Sequence, residues 1–318
     1  MRVLVTGAYG YVGGRVSLLL AQSGIELVLG SRYPRDPKDW LPGADSREMN
    51  WNNAASLRRA CEGVNAVVHL ASANEVDCVR DMEAALVING LYTGRLLSAA
   101  RQEKVSRFIY FSTAHVYGSP LAGVIDENVC PRPVTAYAIS HRVAEDLVLS
   151  SSDTGAIIGI VVRLSNSFGT PARRGVDRWS LLVNDLCRQA AISNQLVLRT
   201  GGTQRRDFIT LRDVGRAVRH LLEIPTTAVG NGLFNLGGAW APRIYEMAEL
   251  IQHRFAARYG TMPPLIRPAV SDERDESLEY KIDKLTSIGF RLECDVTGEI
   301  DRTLAFCVEA RSSSRATS

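Results

Sequence analysis

The first fifteen residues, MRVLVTGAYGYVGGR, constrain this chain more than any other stretch. The apolar run Val3-Leu4-Val5 leads directly into Thr6-Gly7-Ala8-Tyr9-Gly10-Tyr11-Val12-Gly13. Val12, Val16, Leu19 and Leu20 then recur at helical spacing. The order is buried strand, glycine turn, helix. Gly7 and Gly10 let the backbone turn tightly and approach a pyrophosphate with no Cβ in the way. Gly13 lets the helix pack close to the strand. The helix N-terminus offers unpaired N–H groups and a positive dipole end to phosphates. The spacing is G-x-x-G-x-x-G instead of the commoner G-x-G-x-x-G. An ordinary tight turn would use the same residues, but the flanking strand and helix favour a dinucleotide site. Tyr9, Tyr11 and Val12 are expected to line it.

A chain of 318 residues accommodates one large α/β unit or two lobes. The formal net charge is only +3, which gives no reason to expect a nucleic-acid partner. The apolar run after Arg2 stops at Thr6, unlike a signal peptide, and no apolar segment reaches membrane-spanning length. The cysteines at 61, 78, 130, 187, 294 and 307 are scattered without a C-x-x-C pair. Neither a metal site nor a disulfide framework follows, and reduced thiols in a cytoplasm are the simplest expectation.

Strands are predicted at 26–30, 46–51, 65–71, 107–112 and 156–164, with helices at 54–62, 82–103 and 135–150 between them. This alternation predicts a doubly wound parallel sheet of the Rossmann type with a smaller C-terminal substrate lobe. The dinucleotide-binding domain is placed at 1–165, with the chain returning to it at about 206–236. The substrate lobe takes 166–205 and 237–310. Within these, 177–193, 243–258 and 296–308 are read as helices, and Asp213 as the cap of another. The serine-rich stretch 311–318 is read as a disordered tail.

Ser31-Arg32 follows the second strand, where an NAD site usually carries an acidic residue for the ribose 2′-hydroxyl. Arg pairs with a 2′-phosphate that an Asp would repel, so NADP is favoured slightly over NAD. A solvated loop Arg is the alternative. Leu70, Ala71 and Ser72 are expected along the cofactor at the end of the strand at 65–71. Tyr137 and His141 are four residues apart and point the same way from their helix. With Thr113, they come from two elements that both border the proposed nicotinamide site. A Tyr hydroxyl can exchange a proton with a sugar oxygen while hydride moves, and a Thr hydroxyl can hold the same oxygen.

The motifs TGAYGYVG, HLAS, STAHVYG, YAISH, RLSNSFG and QRRDFI occur in this order. Together they make residues 1–308 resemble the extended short-chain dehydrogenase/reductases, the NAD-dependent epimerase/dehydratase group. The resemblance implies a nucleotide-sugar substrate and a homodimer built on the helices at 82–103 and 135–150. It implies that Thr113 and Tyr137 are catalytic, with His141 at the position of the family Lys. Asn50, beside Trp51, stands where an Asp often contacts adenine, and Asn89 is expected near the cofactor. Asn166 and Arg206 match residues that hold the sugar diphosphate. Arg267 and Arg274 are both candidates for a second phosphate-binding Arg.

Three departures from the family pattern matter. His141 replaces a Lys whose fixed charge lowers the Tyr pKa. Only four lysines occur beside 33 arginines, so a simple bias against Lys predicts Arg here and leaves His unexplained. Ala114-His115 stands where 4,6-dehydratases carry Asp-Glu, so dehydration is not expected. The acidic residue after the second strand is absent. The expected activity is hydride transfer at a sugar carbon, as a 4-keto-sugar reductase. A 4-epimerase is the alternative, and a cofactor-binding regulator that has lost catalysis is a reading from another class.

Overall fold

Period-two alternation places the strands. In β1 (Arg2–Thr6), Val3 and Val5 join one apolar core and Leu4 another, and all three are fully buried. In β2 (Glu26–Ser31), Leu27 and Leu29 oppose Val28 in the same way. A strand apolar on both faces belongs in a sheet covered on both sides. The computed structural model of the protein, which describes residues 1–269 and 276–316, has that architecture.

After β1 come α1 (Tyr11–Gln22), β2, β3 (Asp45–Glu48), α2 (Ala54–Cys61), β4 (Ala66–His69), α3 (Glu75–Arg80) and α4 (Met82–Ala85). A π-helical turn, Leu86–Leu91, leads into α5 (Tyr92–Gln102), β5 (Arg107–Thr113), β6 (Gly123–Ile125), α6 (Ala136–Asp153) and β7 (Ile158–Leu164). Then follow β8 (Asn166–Phe168), α7 (Leu182–Ser193), β9 (Leu196–Val197), β10 (Phe208–Thr210), α8 (Leu211–Glu223) and β11 (Leu233–Leu236). The chain ends with α9 (Ile244–Tyr259), β12 (Leu265–Ile266), β13 (Leu278–Tyr280), α10 (Asp283–Ser287) and α11 (Val296–Ala316).

Seven parallel strands form the main sheet in the order β11-β7-β5-β4-β1-β2-β3. The order reverses about β1 and β4, which opens a crevice at the carboxyl ends of the strands. One face packs on α1 and α8 through Val16, Leu20, Val214, Val218 and Leu221. The other packs on α2, α5 and α6 through Leu57, Leu96, Ala144 and Val148. A separate core of Leu186, Ala190, Met247, Ile251, Ile300 and Leu304 holds α7, α9 and α11 together as the second lobe. Among the described residues, no helix is long and apolar enough to cross a membrane.

Several expectations need correction. The helix expected at 82–103 is broken by the π-helical turn, which buries Asn89 and Gly90. Thr210, not Asp213, caps α8, because its extended backbone lets Oγ1 accept from Asp213 N at 3.1 Å. Asp213 instead accepts from Glu293 N at 2.8 Å and Cys294 N at 3.1 Å, tying down a distant loop. Leu285 and Phe290, assigned to the substrate lobe, pack into the first-lobe core. The helix α11 continues to Ala316, into the stretch expected to be disordered.

Candidate active site

A cleft of about 830 Å³ opens at the carboxyl ends of the strands, lined by both lobes. Its floor is the glycine turn. Gly7 has φ +69°, and a Cβ there would meet Ala71 N at 2.8 Å. A Cβ on Gly13 would meet Gly7 O at 2.2 Å. Gly10 caps α1 without a side chain, so no side-chain oxygen claims the first N–H groups of the helix. These features fit a dinucleotide pyrophosphate, and Arg32 and Ser31 line the cleft beyond the end of β2.

Tyr9, Tyr11, Val12, Trp51, Leu70, Ala71 and Ser72 also line the cleft. The two tyrosine hydroxyls are committed elsewhere. Tyr9 donates to Arg35 O at 2.8 Å, and Tyr11 to Gly169 O at 2.8 Å. Arg173 reaches back from the second lobe to donate to Tyr9 O at 2.9 Å, its guanidinium 5.2 Å from the Tyr9 ring and 5.3 Å from Trp40.

Two expected cofactor residues do not line the cleft. Asn50 is exposed, and its side chain accepts from Asn52 N. Asn89 is turned into the core by the π-helical turn, where it accepts from Ala73 N at 2.8 Å and donates to Ser140 Oγ at 2.9 Å. It belongs to a buried polar chain. Thr93 donates to Asn89 O at 2.6 Å, so Thr93 Oγ1 receives the His69 Nε2 proton at 2.9 Å. His69 Nδ1 must then accept from Thr6 Oγ1 at 2.6 Å, and Thr6 accepts from Leu70 N and Ala71 N. The chain pins the β4 loop against α6, and Ser140 ends it by donating to Tyr137 O at 2.9 Å.

Thr113, at the end of β5, and Tyr137 and His141, on the first turns of α6, all face the cleft. Thr135 caps α6 by accepting from Ala138 N at 3.2 Å, which sets where Tyr137 leaves the helix. Burial raises the Tyr137 pKa above that of a free phenol, and the charge of Glu75 raises it further. Arg178 and a hydrogen bond with Thr113 counteract part of this. His141 is 2% exposed, and its ring centroid is 4.5 Å from that of Tyr137. Burial pushes the His141 pKa down to about 3, so the ring is neutral near pH 7. Nδ1 lies 2.7 Å from the Tyr110 hydroxyl, and Nε2 is buried with no hydrogen-bond partner among the described residues.

The sequence of residues 3–237 matches the family model described as the NAD dependent epimerase/dehydratase family. The chain belongs to that family. A mouse (Mus musculus) dTDP-D-glucose 4,6-dehydratase is 26% identical over 309 residues, covering 91% of this chain and 84% of the relative. A UDP-glucose 4-epimerase of Rhizobium leguminosarum bv. trifolii is 26% identical over 268 residues, covering 79% and 81%. The fold matches that of a Thermotoga maritima UDP-glucose 4-epimerase solved with UDP-glucose, with TM-score 0.81, 19% identity and coverage of 98% and 100%. It also matches RMD from Pseudomonas aeruginosa complexed with NADPH, with TM-score 0.78, 23% identity and coverage of 97% and 99%.

Within this epimerase/dehydratase fold, Asn166 and Arg178 of the second lobe and Arg206 and Phe208 of the following segment also line the cleft. Asn166 Nδ2 is spent on Asp207 O at 2.9 Å. The Arg206 guanidinium donates to Gln204 Oε1 and has no carboxylate partner among the described residues. Burial lowers its pKa, the mark of a cation held without its counter-charge. Arg267 does not line the cleft; it stacks 4.4 Å from the Tyr245 ring and donates to Gly201 O. Arg274 lies outside the described residues. Sequence reasoning missed Glu75 and Arg178, which face each other across the cleft at 4.0 Å. The Asn74-Glu75-Val76-Asp77 run just beyond a strand was the available signal, a helix cap at the carboxyl edge of the sheet.

Proposed function

We propose that the chain is an NADP-dependent nucleotide-sugar oxidoreductase that reduces a 4-keto sugar. One observation carries the reading: Thr113, Tyr137 and His141 line one cleft, the Tyr137 and His141 ring centroids 4.5 Å apart, and burial favours the protonated phenol and the uncharged imidazole. A reductase needs a proton donor at the carbonyl oxygen, and a protonated Tyr137 is that donor. A nicotinamide held beyond the Gly7–Gly13 turn would supply hydride to the carbonyl carbon. Tyr137 passes its proton to the oxygen, Thr113 hydrogen-bonds the same oxygen, and His141 Nε2–H would orient a ribose hydroxyl of the bound cofactor. Arg206 supplies the charge that a sugar diphosphate would neutralise. Arg32, which lines the cleft beyond β2, supports NADP over NAD.

A 4-epimerase is the second reading, favoured by the Rhizobium leguminosarum and Thermotoga maritima relatives. The two differ in stoichiometry. A reductase oxidises one NADPH per UDP-4-keto-6-deoxyglucose, followed by loss of absorbance at 340 nm. An epimerase interconverts UDP-glucose and UDP-galactose with no net change in cofactor. Epimerisation without NADPH oxidation would replace the first reading with the second. Intact cofactor binding with neither reaction would support the regulator.

The proposed assembly is a homodimer through α6, where Ile139, Val143 and Leu147 recur every four residues and remain 38–41% exposed. A reducing cytoplasm is the proposed setting, supported by six free cysteines.

A further inference from the structure

Thr113 is followed by Ala114-His115, so the segment beside the catalytic hydroxyls carries no carboxylate. The fold brings one from elsewhere. Among the described residues, Glu75 and Asp77 are the acidic side chains lining the cleft. Asp77 is committed to Asn74, whose Nδ2 donates to it at 2.7 Å. Glu75 is not committed in that way. Its one ion pair, with Arg178, is 4.0 Å long, and its side chain is 54% exposed. A pair of that length and exposure holds a carboxylate weakly.

The segment that presents Glu75 is rigid on both sides. Ala73 N is held by Asn89 Oδ1 at 2.8 Å. Asn74 Oδ1 accepts from Val76 N at 2.9 Å and Asp77 N at 3.0 Å, which fixes the first turn of α3. Glu75 is therefore presented at a set position in the same cleft as Thr113, Tyr137 and His115. Its charge is close enough to raise the proton affinity of both Tyr137 and His115. An acid at a carbonyl oxygen and a base near the adjacent carbon are the two parts of a keto–enol exchange.

We propose that Glu75 is a base toward carbon, removing and returning the proton on a carbon next to the keto carbon of the bound sugar. The inference rests on the nucleotide-sugar reading above. The Glu75 carboxylate takes the proton, and the C–H electron pair becomes the C=C bond of an enolate. The carbonyl π pair moves to oxygen, where the Thr113 and Tyr137 hydroxyls donate hydrogen bonds. Return of a proton from the Glu75 carboxylic acid to carbon restores the ketone. Nothing is oxidised or reduced in this step. If the acid exchanges with solvent in between, the sugar acquires a solvent hydrogen on carbon. The substrate class is a nucleoside-diphosphate 4-ketohexose with an acidic C–H at C3 or C5.

The test uses the full chain with UDP-4-keto-6-deoxyglucose and NADP⁺ in D₂O, with carbon-bound deuterium read by mass spectrometry. Supplying the ketone makes the exchange independent of hydride transfer. NADPH oxidation is followed separately at 340 nm. The unmodified protein should incorporate deuterium faster than buffer. Glu75→Gln should lose at least about 100-fold of that rate while NADPH oxidation stays within about threefold. The half-exposed position makes Glu75→Gln a mild change to folding, and a circular dichroism melt checks it. Exchange no faster than buffer, exchange undiminished in Glu75→Gln, or equal loss of both activities would each overturn the proposal. Exchange without NADPH oxidation would uphold Glu75 and remove the reductase reading.

Discussion

The Tyr110 hydroxyl lies 2.7 Å from His141 Nδ1, and that hydroxyl has no other hydrogen-bond partner among the described residues. Donation by Tyr110 satisfies its own buried proton and the Nδ1 lone pair together. The reverse arrangement would strand the phenolic proton in the core. Nε2 therefore carries the imidazole proton, buried beside the cleft. It can orient a ribose hydroxyl, but it brings no charge to Tyr137. Replacing His141 with Lys should restore that charge and make Tyr137 more acidic. Each pKa unit by which Tyr137 falls favours its deprotonated form about tenfold. Hydride transfer in the oxidising direction should gain more than in the reducing direction. Single-turnover rates in both directions across pH measure this, and equal gains would contradict it.

Arg32 should discriminate between cofactors. Charge-assisted hydrogen bonds of about 1.5–3 kcal/mol make Arg32→Ala weaken NADPH binding by at least about tenfold. NADH binding should change little. Titration calorimetry with both cofactors checks this. Equal affinity of the unmodified protein for NADPH and NADH would refute the assignment.

Arg206 and Arg219 separate a site charge from a surface charge. Arg206 lines the cleft without a carboxylate partner among the described residues, whereas Arg219 pairs with Glu223 at 2.9 Å on α8, outside the cleft. Arg206→Ala should raise KM for a nucleotide sugar by about tenfold or more. Arg219→Ala should leave it nearly unchanged. A free sugar that binds as well as its nucleotide conjugate would contradict the diphosphate role.

Acid should destabilise the fold through two histidines. Burial holds His69 and His141 at about 3, well below the ordinary value of 6.5. The unfolded chain therefore binds more protons between those values. The stability these groups contribute is fully present above pH 6.5 and is lost as pH falls toward 3. The slope is about 1.4 kcal/mol per pH unit for each histidine well inside that window. Asp207 acts in the opposite sense, because burial pushes its pKa up to about 6. Its folded form binds the extra proton between about 4 and 6, which offsets part of the histidine loss in that range. Urea unfolding at pH 7.5 and pH 5.5 should show lower stability at the lower pH. The difference should shrink in His141→Gln. Stability independent of pH over this range would contradict the burial of two neutral imidazoles.

The local order of the N-terminal residues determined the fold class. A strand, a glycine turn and a helix follow one another within fifteen residues, and their periodicities are read along the chain without knowledge of any distant contact. The same holds for Tyr137 and His141 on one helical face, because a helix fixes the relation between residues four apart. Asn89 shows where that reasoning stops: the family resemblance places it near the cofactor, but in the π-helical turn it bonds Ala73 and Ser140. The charge state of His141 depends on Tyr110 from β5, 31 residues away, and on burial that no local spacing reveals. Glu75 and Arg178 meet only because the second lobe folds over the edge of the sheet. Protonation and cross-cleft contacts are set by desolvation and long-range packing, which tertiary structure alone decides.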